Sequence, residues 1–235
     1  MVYMKQLRKE TDKMEIVIVE TSAVSSNELK ALIKEIIPEA SVHEIIDSSL
    51  IDEVVANNGP SAFVKHRMKT YFEFAEEMGA DIILNQCSSV GEVAKWISDK
   101  ISIPVVSIDK GMAVEAVNKG KKIGLVATVK TTVKPSSNNI LNTAKELNKD
   151  IELKSYLCDG AMEYLMKTGD KEGHNQMVID LVKKAVEEND VVCLAKGSMT
   201  ALEPYLNQFD KPVYTSLRIG VEYLKKVLYE TVSAK

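Results

Sequence analysis

Short runs that are apolar at every position recur along the chain, among them Ile16-Val17-Ile18-Val19, Ile82-Ile83-Leu84 and Val191-Val192-Cys193-Leu194-Ala195. A strand with one wet face alternates in polarity; a run that does not alternate is buried on both faces, the condition of a parallel sheet covered by helices. Strands are expected at Glu15–Val19, Ser41–Ile46, Asp81–Leu84, Pro104–Ile108, Lys122–Ala127, Ile151–Ser155, Val191–Ala195 and Pro212–Thr215. Amphipathic stretches between them predict helices near Asn27–Ile36, Ala62–Met78, Val90–Lys100, Gly111–Lys119, Asn138–Asn148, Ala161–Lys167, Lys171–Glu188, Thr200–Gln208 and Gly220–Tyr229. The alternation predicts right-handed βαβ units and an α/β fold.

The order is duplicated. A strand running into Glu20-Thr21-Ser22 opens one half and a strand running into Ala127-Thr128-Val129-Lys130-Thr131-Thr132 opens the other. About 67 residues separate Glu20 from Cys87 and about 69 separate Ala127 from Lys196, close to a shared period. Two pseudo-symmetric lobes are therefore expected, each a central parallel sheet flanked by helices, with the active site in the cleft between them. The first would cover residues 14–110, with 211–235 returning to pack on it, and the second 111–210. Residues 1–13 read as an N-terminal arm, polar, mixed in charge and without the apolar segment of a secretory signal. Open α/β sheets bind ligands at the carboxyl ends of their strands, so chemistry is sought there.

Bulk properties exclude several partners. A net charge of −4 offers no basic face to nucleic acid or an anionic membrane. No run approaches the roughly 18 apolar residues of a membrane-spanning helix. Three cysteines without framework spacing suggest reduced thiols in the cytoplasm. His43, His66 and His174 are scattered without ligand spacing, so no metal site is expected. Neither Gly-x-Gly-x-x-Gly nor a phosphate-binding Gly-Lys-Ser/Thr loop occurs, so no nucleotide cofactor is expected.

Cys87 is the leading candidate. It follows Ile82-Ile83-Leu84 within Asn85-Gln86-Cys87-Ser88-Ser89, a polar cluster that a core strand would not carry. The helix expected from Val90 adds backbone N–H groups and a positive dipole end, which favour thiolate. Cys193, inside an apolar run, and Cys158 read as packing residues. Lys196 follows its strand as Cys87 does; it is a solvated lysine at a loop start, or a cation or base acting on substrate. Thr21, Ser22, Thr128, Thr131 and Thr132 all follow strands, where hydroxyls serve as turn and cap residues or as carboxylate ligands. Arg67 reads as an anion clamp or a surface salt bridge.

Taken together these residues resemble the aspartate/glutamate (hydantoin-type) racemase superfamily. The resemblance spans about residues 14–230 and rests on Asn85-Gln86-Cys87-Ser88-Ser89, Ile103-Pro104-Val105-Val106, Ile123-Gly124-Leu125-Val126-Ala127-Thr128 with Thr131, and Leu194-Ala195-Lys196-Gly197-Ser198-Met199. It implies two α/β lobes, no cofactor, and one cysteine from each lobe flanking the substrate α-carbon. Cys87 matches the first catalytic cysteine, and Ser88 and Ser89 the pair that binds the substrate carboxylate. Thr21-Ser22 stands where many members have Asp-Ser, and Thr128 and Thr131 match the second lobe's substrate-binding element. The second cysteine is replaced by Lys196, with Ser198 the alternative occupant; Asn85 and Ser198 complete the candidate substrate-binding set.

The resemblance implies a racemase or isomerase acting on a small carboxylate or related carbonyl compound, with proton transfer by Cys87 and Lys196. A lyase or decarboxylase using Cys87 alone, or a non-catalytic carboxylate-binding protein, are the alternatives. A small-molecule substrate, a possible homodimer and a cytoplasmic location are the expected context.

Overall fold

The structure, a computed structural model, describes residues 14–233; the expected arm at 1–13 lies outside them. The chain divides into two compact units, one holding the described residues up to Ile108 and those from Gly220, the other Asp109–Ile219.

In the first unit, β1 (Glu15–Glu20), β2 (Ser41–Ile46), β3 (Ile82–Asn85) and β4 (Val105–Ser107) form a parallel sheet in the order β2-β1-β3-β4. Its helices are α1 (Ser26–Ile36), α2 (Ser49–Ala56), α3 (Ala62–Glu77) and α4 (Gly91–Ser98). One face of the sheet, with Val17, Val19 and Ile83, packs on Leu50 and Val54 of α2, Met68 and Phe72 of α3, and Val93 and Ile97 of α4. Ile16, Ile18, Ile82 and Leu84 point the other way and are equally inaccessible. Burial on both faces is what the non-alternating runs required.

The second unit repeats this plan. β5 (Lys122–Ala127), β6 (Glu152–Leu157), β7 (Val191–Leu194) and β8 (Val213–Tyr214) are parallel in the order β6-β5-β7-β8. Around them lie α5 (Lys110–Lys119), α6 (Lys130–Glu146), α7 (Ala161–Thr168), α8 (Lys171–Glu188) and the single turn α9 (Glu203–Leu206). Ile123, Leu125 and Cys193 face α5 and α6, whereas Val126, Val192 and Leu194 face α8. The fold is α/β, with two parallel four-stranded sheets flanked by helices.

Three differences from expectation bear on the architecture. Val213–Tyr214 pairs with β7, which keeps the chain in the second unit to Ile219, beyond the boundary at 210; the return begins at Gly220. It returns along α10 (Leu217–Ser233), whose Lys225 Nζ donates to the Ile36 carbonyl at the end of α1 at 2.9 Å. Second, α2 falls in a stretch where no helix was expected. Third, α6 starts at Lys130 and runs through Pro135, instead of starting at Asn138. Pro135 has no N–H to offer the Thr131 carbonyl, a local loss, while buried Thr132, Ser136, Ile140 and Ala144 hold the helix in place. Tertiary packing overrides the local breaker here.

Candidate active site

A strand order of β2-β1-β3-β4 sends the chain to one side after β1 and to the other after β3. The two neighbouring strands diverge into loops at their carboxyl ends, leaving a crevice at this switch point. β5 and β7 make the same arrangement in the second unit. The candidate site residues lie at these two places.

In the first unit the ladder pairs Val19 with Asn85, and Gln86 N–H donates to the Val19 carbonyl at 3.1 Å. Glu20, Thr21 and Ser22 on one strand end are thereby neighbours of Gln86 and Cys87 on the other. Thr21 is buried, and Ser22, half-buried, accepts from the Val24 N–H at 3.3 Å, capping a 3-10 turn. Asn85 is buried; its Nδ2 donates to the Cys87 carbonyl at 3.1 Å and lies 3.5 Å from Ser107 Oγ. Asn85 therefore fixes the backbone of the cysteine. Cys87 is half-buried with its thiol free, and Ser88 and Ser89, also half-buried, open a 3-10 turn that runs into α4.

In the second unit Val126 pairs with Leu194, and Ala195 N–H donates to the Val126 carbonyl at 2.8 Å. Matching the last paired positions, Asn85 with Leu194, sets Cys87 equivalent to Lys196 and Thr21 equivalent to Thr128. Thr128 is buried and Thr131 lies in the first turn of α6, not in a loop. Lys196 is half-buried and caps a 3-10 turn, as Cys87 does, but with φ 106° and ψ 133°. That region belongs to glycine, and a side chain held there stores strain. Ser198 is exposed on the turn.

The other thiols are inert by environment. Burial pushes Cys193 up to about 12, with the Asp109 carboxylate adding to it. Burial, then Asp159, raises Cys158. Arg67 forms an ion pair with Asp47, donates to Ser49 Oγ at 2.7 Å and to Tyr71 Oη at 3.2 Å, and lies over the Phe63 ring. Although burial pushes Asp47 up, hydrogen bonds from Tyr71 and Ser49 and the Arg67 charge outweigh it and hold the carboxyl low. The salt-bridge alternative for Arg67 is the one adopted. His43 lies beside Glu15 at 3.3 Å, and His66 is exposed on α3. Among the described residues no cluster of His, Cys, Asp and Glu is grouped to hold a metal. A depression lined by Lys119, Lys121, Lys149 and Asp150 sits at the amino end of β5 and contains none of the candidate residues.

Glu20 is a residue that sequence reasoning passed over. It is fully buried at the end of β1; Oε2 accepts from Ser26 Oγ, and Oε1 finds no hydrogen-bond partner among the described residues. Burial raises its pKa, against the Ser26 hydrogen bond, with Glu44 adding to the rise. An acid directly after the apolar run Ile16–Val19, at the carboxyl end of the strand, was the available signal. Ser107, at the end of β4, is the second such residue.

The chain matches the family model described as Asp/Glu/hydantoin racemase over residues 16–224. It is 27% identical over 184 residues to a glutamate racemase from Sulfurihydrogenibium sp., covering 73% of this chain and 67% of that one. Among solved structures, glutamate racemase from Bacillus anthracis superposes with a TM-score of 0.71 at 18% identity, covering 94% of this chain and 83% of that one. Allantoin racemase from Klebsiella pneumoniae gives 0.64 at 15% identity, covering 93% and 89%. At these identities the solved structures establish the fold. No helix among the described residues is long and apolar enough to cross a membrane.

Proposed function

The chain belongs to the Asp/Glu/hydantoin racemase family, and as an isomerase of that type we propose that it moves a proton at the α-carbon of a small amino acid or related carboxylate. Cys87 is the base in this reading: its thiolate takes the α-proton and leaves an enediolate-like carbanion. Lys196 stands at the equivalent position of the second sheet. Its ammonium stabilises the enediolate and returns a proton to the α-carbon, becoming a neutral amine. Solvent exchange then restores the thiolate and the ammonium. Thr21, Ser22, Ser88 and Ser89 at one switch point, and Thr128 and Thr131 at the other, are the proposed carboxylate ligands, with Asn85 positioning Cys87 and Ser198 at the rim. No cofactor takes part.

The observation that carries this reading is the register equivalence of Cys87 and Lys196. A thiol and an ammonium differ in acidity and charge, so the two directions of proton transfer are unequal. That asymmetry favours, as a second reading, one-sided proton delivery by Cys87 after decarboxylation. Three free cysteines fit a reducing compartment, and a cytoplasmic homodimer is part of the proposal.

Deuterium wash-in distinguishes the readings. Single enantiomers of amino acids, hydroxy acids and hydantoins, and substituted malonates, are incubated in D2O and followed by NMR. Deuterium at the α-carbon of recovered substrate, abolished by Cys87→Ser and strongly reduced by Lys196→Met, is the expected result. Loss of carbon dioxide with one deuterium gained supports the second reading. Exchange that survives Cys87→Ser removes the thiol from the chemistry.

A further inference from the structure

We propose that Glu20 is a positioning residue for the loop Thr21–Ser25, acting through Ser26 on the Thr21 and Ser22 hydroxyls; this rests on the assignment of those hydroxyls as carboxylate ligands above. Glu20 closes β1 on the face that Ile16 and Ile18 share, and it is fully buried. Its Oε2 accepts from Ser26 Oγ, on the first residue of α1. That bond joins residues six apart and closes the loop into a ring. The Glu20 carbonyl accepts from the Asp47 N–H at 2.9 Å, which ties the start of the ring to the end of β2. The remaining ties are local: Ser22 Oγ accepts from the Val24 N–H, and the Ser26 N–H donates to the Ala23 carbonyl. Ala23 and Val24 are exposed, Val24 by 84%, so no packing holds the tip.

Stability alone does not call for a carboxyl group at this place. Ile16 and Ile18 show that apolar side chains fit this face of the sheet. Burying a carboxyl is costly unless its oxygens are satisfied, and Oε1 has no hydrogen-bond partner among the described residues. Glu44 of β2 brings a second carboxyl close enough to repel it, while Lys30 of α1, paired with Glu44 at 2.7 Å, attracts it. An apolar side chain of similar volume in such a position is commonly neutral or stabilising. What the carboxyl supplies, and an apolar group would not, is an acceptor that reaches from the strand to Ser26 across the loop. Hydroxyls bind a carboxylate well only where they are held in place, since a misplacement of about 1 Å can cost about a hundredfold.

The concentration of L-glutamate or malonate that half-protects Cys87 from iodoacetamide tests this on the full chain. Wild type, Glu20→Gln, Glu20→Met and Ser26→Ala are compared, with the melting temperature of each measured in parallel. Glutamine keeps an oxygen that can accept from Ser26, whereas methionine has the same unbranched reach without a strong acceptor. The expected result is a half-protecting concentration raised at least about tenfold in Glu20→Met and Ser26→Ala and near wild type in Glu20→Gln. Glu20→Met should melt at or above the wild-type temperature. A wild type whose Cys87 neither compound protects overturns the carboxylate assignment of Thr21 and Ser22, and this role with it. Protection that is unchanged in Glu20→Met and Ser26→Ala overturns the role of Glu20 alone, as does a Glu20→Gln variant as impaired as Glu20→Met. Impairment that only tracks a falling melting temperature makes the residue structural and overturns the role as well.

Discussion

Cys87 and Lys196 hold the same place in their sheets, each the second residue past the last paired position and each capping a 3-10 turn. Their backbones differ. Cys87 is in an ordinary extended conformation, with φ −103° and ψ 113°, whereas Lys196 has φ 106°. Among the described residues, the other non-glycine residues with positive φ, Asn58 and Asn148 at 52°, are of the type that tolerates the left-handed region. Lys196 is not of that type, and backbone strain of this kind collects at functional positions, which supports the role proposed for it.

Replacing Lys196 by glycine separates strain from chemistry. Relief of the positive φ is worth about 1–3 kcal/mol, offset in part by glycine's greater unfolded-state freedom. Lys196→Gly should therefore unfold at higher urea concentration than wild type while losing α-proton exchange. A variant that is less stable, or one with full exchange, contradicts the role given to this side chain.

The three thiols should differ sharply toward iodoacetamide at neutral pH. Cys193 is fully buried and pushed up to about 12, and Cys158 is buried and raised as well. Cys87 is the half-buried thiol of the set. Peptide mapping by mass spectrometry should find carboxamidomethyl on Cys87 first, with the other two labelled only after denaturation. Equal labelling of all three in the native protein would leave Cys87 no special standing.

Glu20 should make stability depend on pH in a recognisable direction. Burial raises its folded-state pKa above the unfolded value of about 4.3. Its favourable contribution is complete below the unfolded pKa and is lost as pH rises through the folded one. Glu20→Gln cannot ionise, so its stability relative to wild type should improve as pH is raised from 4 toward neutrality. Parallel denaturation curves at each pH measure this; a difference independent of pH would show that Glu20 does not titrate in this range.

Gly220 marks the return to the first unit, and a methyl group there has no room. A Cβ would lie 2.1 Å from the Ile108 carbonyl oxygen. Glycine to alanine within a helix ordinarily stabilises by about 1 kcal/mol. Here overpacking against backbone should reverse the sign and cost about 1–3 kcal/mol. A calorimetric Tm for Gly220→Ala at or above wild type would mean that α10 shifts freely at this point.

Much of the fold was legible because burial leaves a periodic record. Runs such as Ile82-Ile83-Leu84 announce strands covered on both faces, and their spacing announces the duplication. The segment Asn85–Ser89 stood out for the opposite reason, polarity where a buried strand should continue. Local rules failed at Pro135, which reads as a loop residue but lies inside α6 because the helix's buried face outweighs one missing hydrogen bond. They failed again at Val213–Tyr214, since two residues carry too little pattern to reveal which sheet they join.

Composition and order along the chain determined the strand count, the parallel α/β class and the thiol at a strand end, because each is a property of neighbours in sequence. Strand order, register and backbone strain come from contacts among residues far apart in the chain, and only the tertiary structure decided them. It made Lys196 the register counterpart of Cys87, exposed the strain it carries, and buried Glu20 against Ser26 at the end of β1. The physical reason is that hydrophobic periodicity records how much a residue is buried, whereas register and conformation record what it is buried against.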